Sequence, residues 1–134
     1  MYSIDPSPGA FSKALKTIPA DTPVVMLNLL KFRQQAQYDD ASQTCTGKEA
    51  YATYSKGAFE HLQETGAEVI FWGDAQAAVI APEGEEWDEV LMVRYPSIQK
   101  FVEMVTNPEY QALSKHRTAA LENARLIANI ERKK

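Results

Sequence analysis

Trp87-Asp-Glu-Val-Leu-Met-Val-Arg-Tyr-Pro-Ser97 contains an apolar run that ends in a charge and a corner. Val90 to Val93 is apolar at every position, and successive side chains of a strand point to opposite faces. A strand over Trp87 to Tyr95 is therefore expected to be covered on both sides, as an inner strand is. Arg94 falls at its end. Pro96 disfavours helix at Tyr95 and Ser97 is a good N-cap, so a helix is expected to follow directly.

Working outward, Ile98, Phe101, Val102 and Val105 give that helix one apolar face. Asn107-Pro108 interrupts it and starts a second piece, with Asn as cap and Pro in the first turn; Tyr110, Leu113, Arg117 and Leu121 share a face of this piece. Leu126, Ile127 and Ile130 lie in a last strand over Ala124 to Ile130, before a frayed basic end, Glu131 to Lys134. Upstream, Val24 to Phe32 is a second nearly continuous apolar run, broken only by Asn28 and by Lys31 near its end. Thr46-Gly-Lys-Glu49 matches a capping box, so a helix should begin near Gly47, with Tyr51, Tyr54, Ala58 and Leu62 on its buried face and Gly66 as its left-handed end. Glu68 to Trp72 alternates as a strand, and Ala77 to Ala81 is expected to continue in extended form before the turn at Pro82 to Gly84. A short helix with Ser7 as cap and Pro8 at its first position should open the chain, with Phe11, Leu15 and Ile18 as its stripe. Gln34 to Thr44 is polar and suits a mobile surface loop.

Without the first helix the order is β-α-β-β-α-β. That predicts an α+β, ferredoxin-like fold in which helices cover one face of a four-stranded antiparallel sheet. The two inner strands are apolar on both faces, so the uncovered face needs a partner, and a homodimer is expected. At 134 residues, with 45% apolar and 24% charged side chains, a single domain over 1–134 is expected. Fourteen basic residues against eighteen acidic ones give a net charge of −4, which offers no general attraction to nucleic acid or anionic lipid. The start has no basic or apolar leader, no apolar run is long enough to span a membrane, and a cytoplasmic location is expected. One cysteine, Cys45, and two separated histidines provide neither a disulfide framework nor a metal-ligand set, and no cofactor is expected.

Val25-Met-Leu-Asn-Leu-Leu-Lys-Phe32, Trp87 to Ser97, Pro108-Glu-Tyr110 and His116-Arg-Thr-Ala-Ala-Leu121 resemble a domain-of-unknown-function family of the dimeric α+β barrel superfamily. The resemblance spans roughly Val24 to Ile130. It implies a dimeric α+β barrel, distantly similar to antibiotic-biosynthesis-type monooxygenases, with the amino-terminal helix as an addition. In cofactor-independent oxygenase and haem-degrading relatives, an Asn on the first strand can face a substrate pocket.

Six residues are the candidates for chemistry. Asn28 is an amide in an apolar inner strand and needs partners, as a structural tie or as a group that orients substrate. His116 can exchange protons near neutral pH, or be an exposed helix residue. Arg94 and Arg117 can hold an anionic oxygen, although Arg94 can equally pair internally with Asp88, Glu89 or Glu122. Tyr54 and Trp72 can line a pocket or pack in the core. Two functions follow: a small-molecule-binding protein with cofactor-independent monooxygenase-like or isomerase-like chemistry on a small organic acid, Asn28 and His116 being catalytic; or a dimeric binding or structural protein without chemistry.

Overall fold

Runs of apolar residues with strand alternation and helical stripes become α1 (Ala10–Thr17), β1 (Val24–Phe32), α2 (Gly47–Glu64), β2 (Glu68–Asp74), β3 (Glu89–Tyr95), α3 (Ile98–Thr106), α4 (Pro108–Ala120) and β4 (Leu121–Asn129). The structure is a computed structural model and describes residues 2–133. Of the end Glu131 to Lys134, Lys134 therefore lies outside the described residues. The strands form one antiparallel sheet in the order β2-β3-β1-β4, so the two continuous apolar runs are its inner strands. This is the ferredoxin-like arrangement.

The expected caps of the later helices are present. Thr46 Oγ1 accepts from the Glu49 amide at 3.1 Å while Glu49 Oε1 accepts from the Thr46 amide at 2.9 Å, closing the capping box. Ser97 Oγ accepts from the Lys100 amide, Asn107 Oδ1 accepts from the Glu109 amide, and Gly66 takes the left-handed conformation just past α2, at φ 83°. α1 differs: it starts at Ala10 behind Gly9, without a side-chain cap, because the Ser7 carbonyl takes the Ala10 amide in a turn.

Side chains of the sheet that face the helices form the core. Val24, Met26 and Leu30 of β1 and Val93 and Tyr95 of β3 are buried against Tyr51, Tyr54 and Ala58 of α2 and Ile98, Phe101 and Met104 of α3. Leu30, Ile98 and Leu121 have no solvent exposure, each contributing roughly 1.5–3 kcal/mol by burial. α1 joins this layer through Phe11, whose ring meets Phe101 edge to face at 6.1 Å.

Four expectations are corrected. Ala77 to Ala81 forms no strand: Val79 and Ile80 are 89% and 97% exposed in a loop between β2 and β3, without the cross-strand partners that extended residues need. β2 does not alternate regularly, because a bulge shifts its register on β3 between Val69 and Phe71. The bulge puts Trp72 opposite Leu91 and Val69 opposite Val93, so both face the helices, whereas unbroken alternation separates them. The polar loop after β1 is pinned: Ala36 and Gln37 donate backbone bonds to Cys45 and Ala119, and Tyr38 reaches α4. β4 begins at Leu121, directly after α4, without an intervening loop.

Candidate functional site

Register fixes the floor of a cleft between sheet and helices. On the helix-facing side, Trp72, Leu91, Asn28 and Leu126 form one row across all four strands. Glu89 lies two positions from Leu91 on the same face, diagonal to Asn28, where such neighbours are roughly 7–8 Å apart. The roof comes from α2 and α4, and Tyr51, Tyr54, Tyr110 and Arg117 reach down from it. The cleft measures about 1430 Å³. This exceeds the roughly 300–1,000 Å³ of an ordinary small-molecule site, leaving room for solvent beside a ligand.

Its walls are mainly apolar and its polar groups are few. The hydroxyls of Tyr54 and Tyr110 hydrogen-bond to each other while buried. Burial pushes the phenols of Tyr51, Tyr54, Tyr95 and Tyr110 well above the usual tyrosine range, so they remain neutral donors at physiological pH. The Arg117 charge opposes that rise at Tyr51, Tyr54 and Tyr110, which places its guanidinium within electrostatic reach of all three. One Arg117 N–H donates to the Ile4 carbonyl at 2.5 Å, and no carboxylate pairs with it among the described residues. A guanidinium has five N–H donors, and Arg117 lines the cleft with the Ile4 carbonyl as its one hydrogen-bond acceptor among the described residues, so donor capacity remains for a ligand.

Asn28 uses its amide N–H groups on the carbonyls of Leu91, at 3.2 Å, and Met26, at 3.5 Å. Its Oδ1 has no hydrogen bond among the described residues and is left as an acceptor. Burial raises the Glu89 carboxyl above its ordinary value, against the opposing hydrogen bond from Trp72. Trp72 is 72% exposed and edges the mouth.

The structure thus brings together Asn28, Tyr54, Trp72 and Arg117 and sets two candidates apart. Arg94 is out of phase with Leu91, Val93 and Tyr95, so strand alternation sends it to the opposite sheet face. There it pairs with Glu68 at 2.7 Å and Glu131 at 3.6 Å, neither of them among the partners expected for it. His116 precedes Arg117 on a helix that turns about 100° per residue, so it points away from the cleft. Its Nδ1 meets the Tyr38 hydroxyl at 2.7 Å, and burial followed by the Lys115 charge lowers its pKa. Glu89 and Tyr110 were not among the candidates. The available signal for Tyr110 was its shared face with Arg117, and for Glu89 its place one alternation before Leu91.

The profile of a family described as a domain of unknown function, DUF1330, matches residues 31–130. The chain belongs to the DUF1330 family. Its fold is similar to that of RPA0582, a protein of unknown function from Rhodopseudomonas palustris, at 36% identity over 100% of both chains and a TM-score of 0.92. More distant likenesses, which concern the fold alone, include a dimeric ferredoxin-like protein of unknown function from Bacteroides fragilis. It is 14% identical over 84% of this chain and 100% of its own, with a TM-score of 0.51. Another is a hydroxynitrile lyase from Passiflora edulis, 13% identical over 85% of this chain and 97% of its own, at 0.56. No curated protein sequence is similar to the chain. Among the described residues, no helix of this DUF1330 protein is long and apolar enough to cross a membrane, and no group of His, Cys, Asp and Glu is placed to hold a metal.

Proposed function

We propose that this DUF1330 protein is a homodimer whose protomers each bind a small organic acid in the cleft. The observation that carries the reading is Arg117, a partly buried cation without a carboxylate partner among the described residues, set among neutral phenols in mainly apolar surroundings. A desolvated guanidinium gains most from an anion that supplies the missing charge, and the neighbouring phenols add hydrogen bonds to the same oxygen atoms. The apolar walls take the body of the ligand.

The dimer reading rests on the other sheet face. Val25, Leu27, Leu29, Val90 and Met92 point there by alternation, and Phe71 and Ile127 are 53% and 49% exposed. A second copy is the self-complementary cover for such a strip, and a dimer is the assembly of the similar Bacteroides fragilis protein. Sedimentation should give twice the chain mass at micromolar concentration; a stable monomer there rules the assembly out.

In cofactor-independent chemistry, Arg117 and the phenols would stabilise an oxyanion while Asn28 orients the reacting group. Enzymatic use of this fold by the Passiflora protein is compatible with that role. His116 faces Tyr38, so its expected role as proton carrier has no support from its position. The alternative of binding without chemistry is favoured by Asn28, whose N–H groups tie β1 to β3 as a structural amide would.

Thermal denaturation with a panel of aryl and alkyl carboxylates tests the binding reading. A ligand at 100 times its Kd adds about 2.7 kcal/mol, or about 10 °C in Tm for a chain of this size. Arg117→Met should abolish the shift. Absence of any shift across the panel in the parent protein refutes the reading.

A further inference from the structure

The cleft holds a second charged group that the acid-binding reading leaves unused. Glu89 lies on the helix-facing side at the start of inner strand β3, lines the cleft, and has no cation within ion-pair distance among the described residues. The groups that act on it are the Trp72 indole N–H, the acids Asp74 and Asp88, and Lys48 at the start of α2. Tyr51 is affected by Glu89 and by Arg117 in opposite senses, so it lies within electrostatic reach of both. Arg117 hangs from the roof on α4 and Glu89 stands on the floor on β3, diagonal to the free Oδ1 of Asn28.

These placements give the cleft a polarity. One part presents N–H and O–H donors around a cation. The other presents acceptors: the Asn28 carbonyl oxygen and the Glu89 carboxyl. An acid with a purely hydrocarbon body would satisfy the first part but bring no further donor to the partly buried Asn28 Oδ1 and Glu89 carboxyl, whose acceptor capacity exceeds the one Trp72 indole N–H, and displacing solvent from them would be unfavourable.

We propose that the cleft selects small aromatic acids that also carry a hydroxyl or amino donor, the acid group at Arg117 and the donor shared between Asn28 Oδ1 and the Glu89 carboxyl. This rests on the acid-binding reading and names its ligand class. An aromatic body fits because the rings of Phe32, Tyr51 and Trp72 line the cleft.

Calorimetric titration with two matched pairs tests it: phenylacetate against 4-hydroxyphenylacetate, and cinnamate against 4-hydroxycinnamate. The hydroxylated member of at least one pair should bind about tenfold more tightly, the scale of one hydrogen bond to a charged or desolvated acceptor. Glu89→Leu should reduce that preference to about twofold or less, while Glu89→Gln, which keeps an acceptor oxygen, should retain most of it. Circular dichroism of both variants establishes that they are folded; if Glu89→Leu does not fold, Asn28→Ala takes its place and should lower the preference to about threefold or less. Equal affinities within both pairs, or a preference unaffected by the folded acceptor variant, overturn the donor-selection proposal and leave acid binding standing. No binding of any of the four acids overturns this proposal together with the assignment of aromatic acids to the cleft.

Discussion

Gly47→Ala should be among the most damaging single-methyl additions to this chain, and the reason is geometric. Gly47 opens α2 where that helix crosses the end of β1 and the end of α4. A Cβ there would stand 2.2 Å from the Arg33 carbonyl oxygen, 2.7 Å from that of Ala120 and 2.8 Å from the Arg33 nitrogen. All three atoms are backbone, so no rotamer change relieves the clash. The same crossing is held by Gly47 N–H to the Arg33 carbonyl at 3.1 Å and Arg33 N–H to the Ala120 carbonyl at 2.8 Å, bonds that must stretch if the segments part. Overpacking usually costs about 1–3 kcal/mol, and contacts this short place the change at the upper end even after the helix preference of Ala returns up to about 1 kcal/mol. At roughly 2.1 cal/mol/K of unfolding entropy per residue, each kcal/mol moves the Tm of a 134-residue chain by about 3.5 °C. A loss of about 7–10 °C by scanning calorimetry is expected. Gly57→Ala is the control, since its Cβ meets only the Leu113 side chain, at 2.8 Å, and should change Tm by less than about 4 °C. A Gly47→Ala protein within about 2 °C of the parent, or one less affected than Gly57→Ala, refutes the reasoning.

Three further outcomes are expected. Tyr54→Phe and Tyr110→Phe should each cost about 1–3 kcal/mol in urea unfolding, because each leaves the other buried hydroxyl unpaired, while the double variant should cost clearly less than their sum; additivity would show that the pair is not coupled. Because the native Glu89 carboxyl is raised above its reference value of 4.5, the folded state keeps that proton to higher pH than the unfolded state. Its contribution therefore favours folding most below about pH 4.5 and is lost as pH rises through the raised native value; Glu89→Gln should remove this fall, and identical pH–stability slopes in parent and variant would contradict it. Arg94→Met should cost no more than about 1 kcal/mol, or about 4 °C, since its carboxylate partners are solvent-exposed, and should leave carboxylate binding in the cleft unchanged; lost binding would return Arg94 to the site.

The fold was legible because its main signals are local and agree with one another. Two apolar runs marked the inner strands, and Thr46-Glu49, Ser97 and Asn107 marked helix starts whose bonds are all present. Apolar character misled at Val79 and Ile80, where β-branched residues sit in an exposed loop; strand propensity describes a fit to neighbours across a sheet, and there are none here. Gly9 also displaced the expected Ser7 cap, a choice between adjacent turns that local chemistry leaves nearly even.

The candidate site was less legible because it depends on phase. Arg94 sits one residue from Val93 and Tyr95, which face the helices, and His116 one residue from Arg117; a single position reverses the direction in a strand and rotates it by about 100° in a helix. Composition can nominate Arg94, His116 and Arg117 but does not carry the phase of one element relative to another. That phase is set by register, and in β2 register depends on one bulge, which moves Trp72 onto the helix-facing side. Without the bulge, Trp72 would join Phe71's neighbours on the opposite face and Glu89 would lose the indole N–H that reaches it. The indole beside Glu89 therefore follows from an irregularity in an edge strand, whereas Asn28 and Glu89 are placed by the regular pairing of β1 and β3. A deletion that restores regular pairing in β2 should disturb the mouth of the cleft while leaving β1, β3 and the buried tyrosines in place.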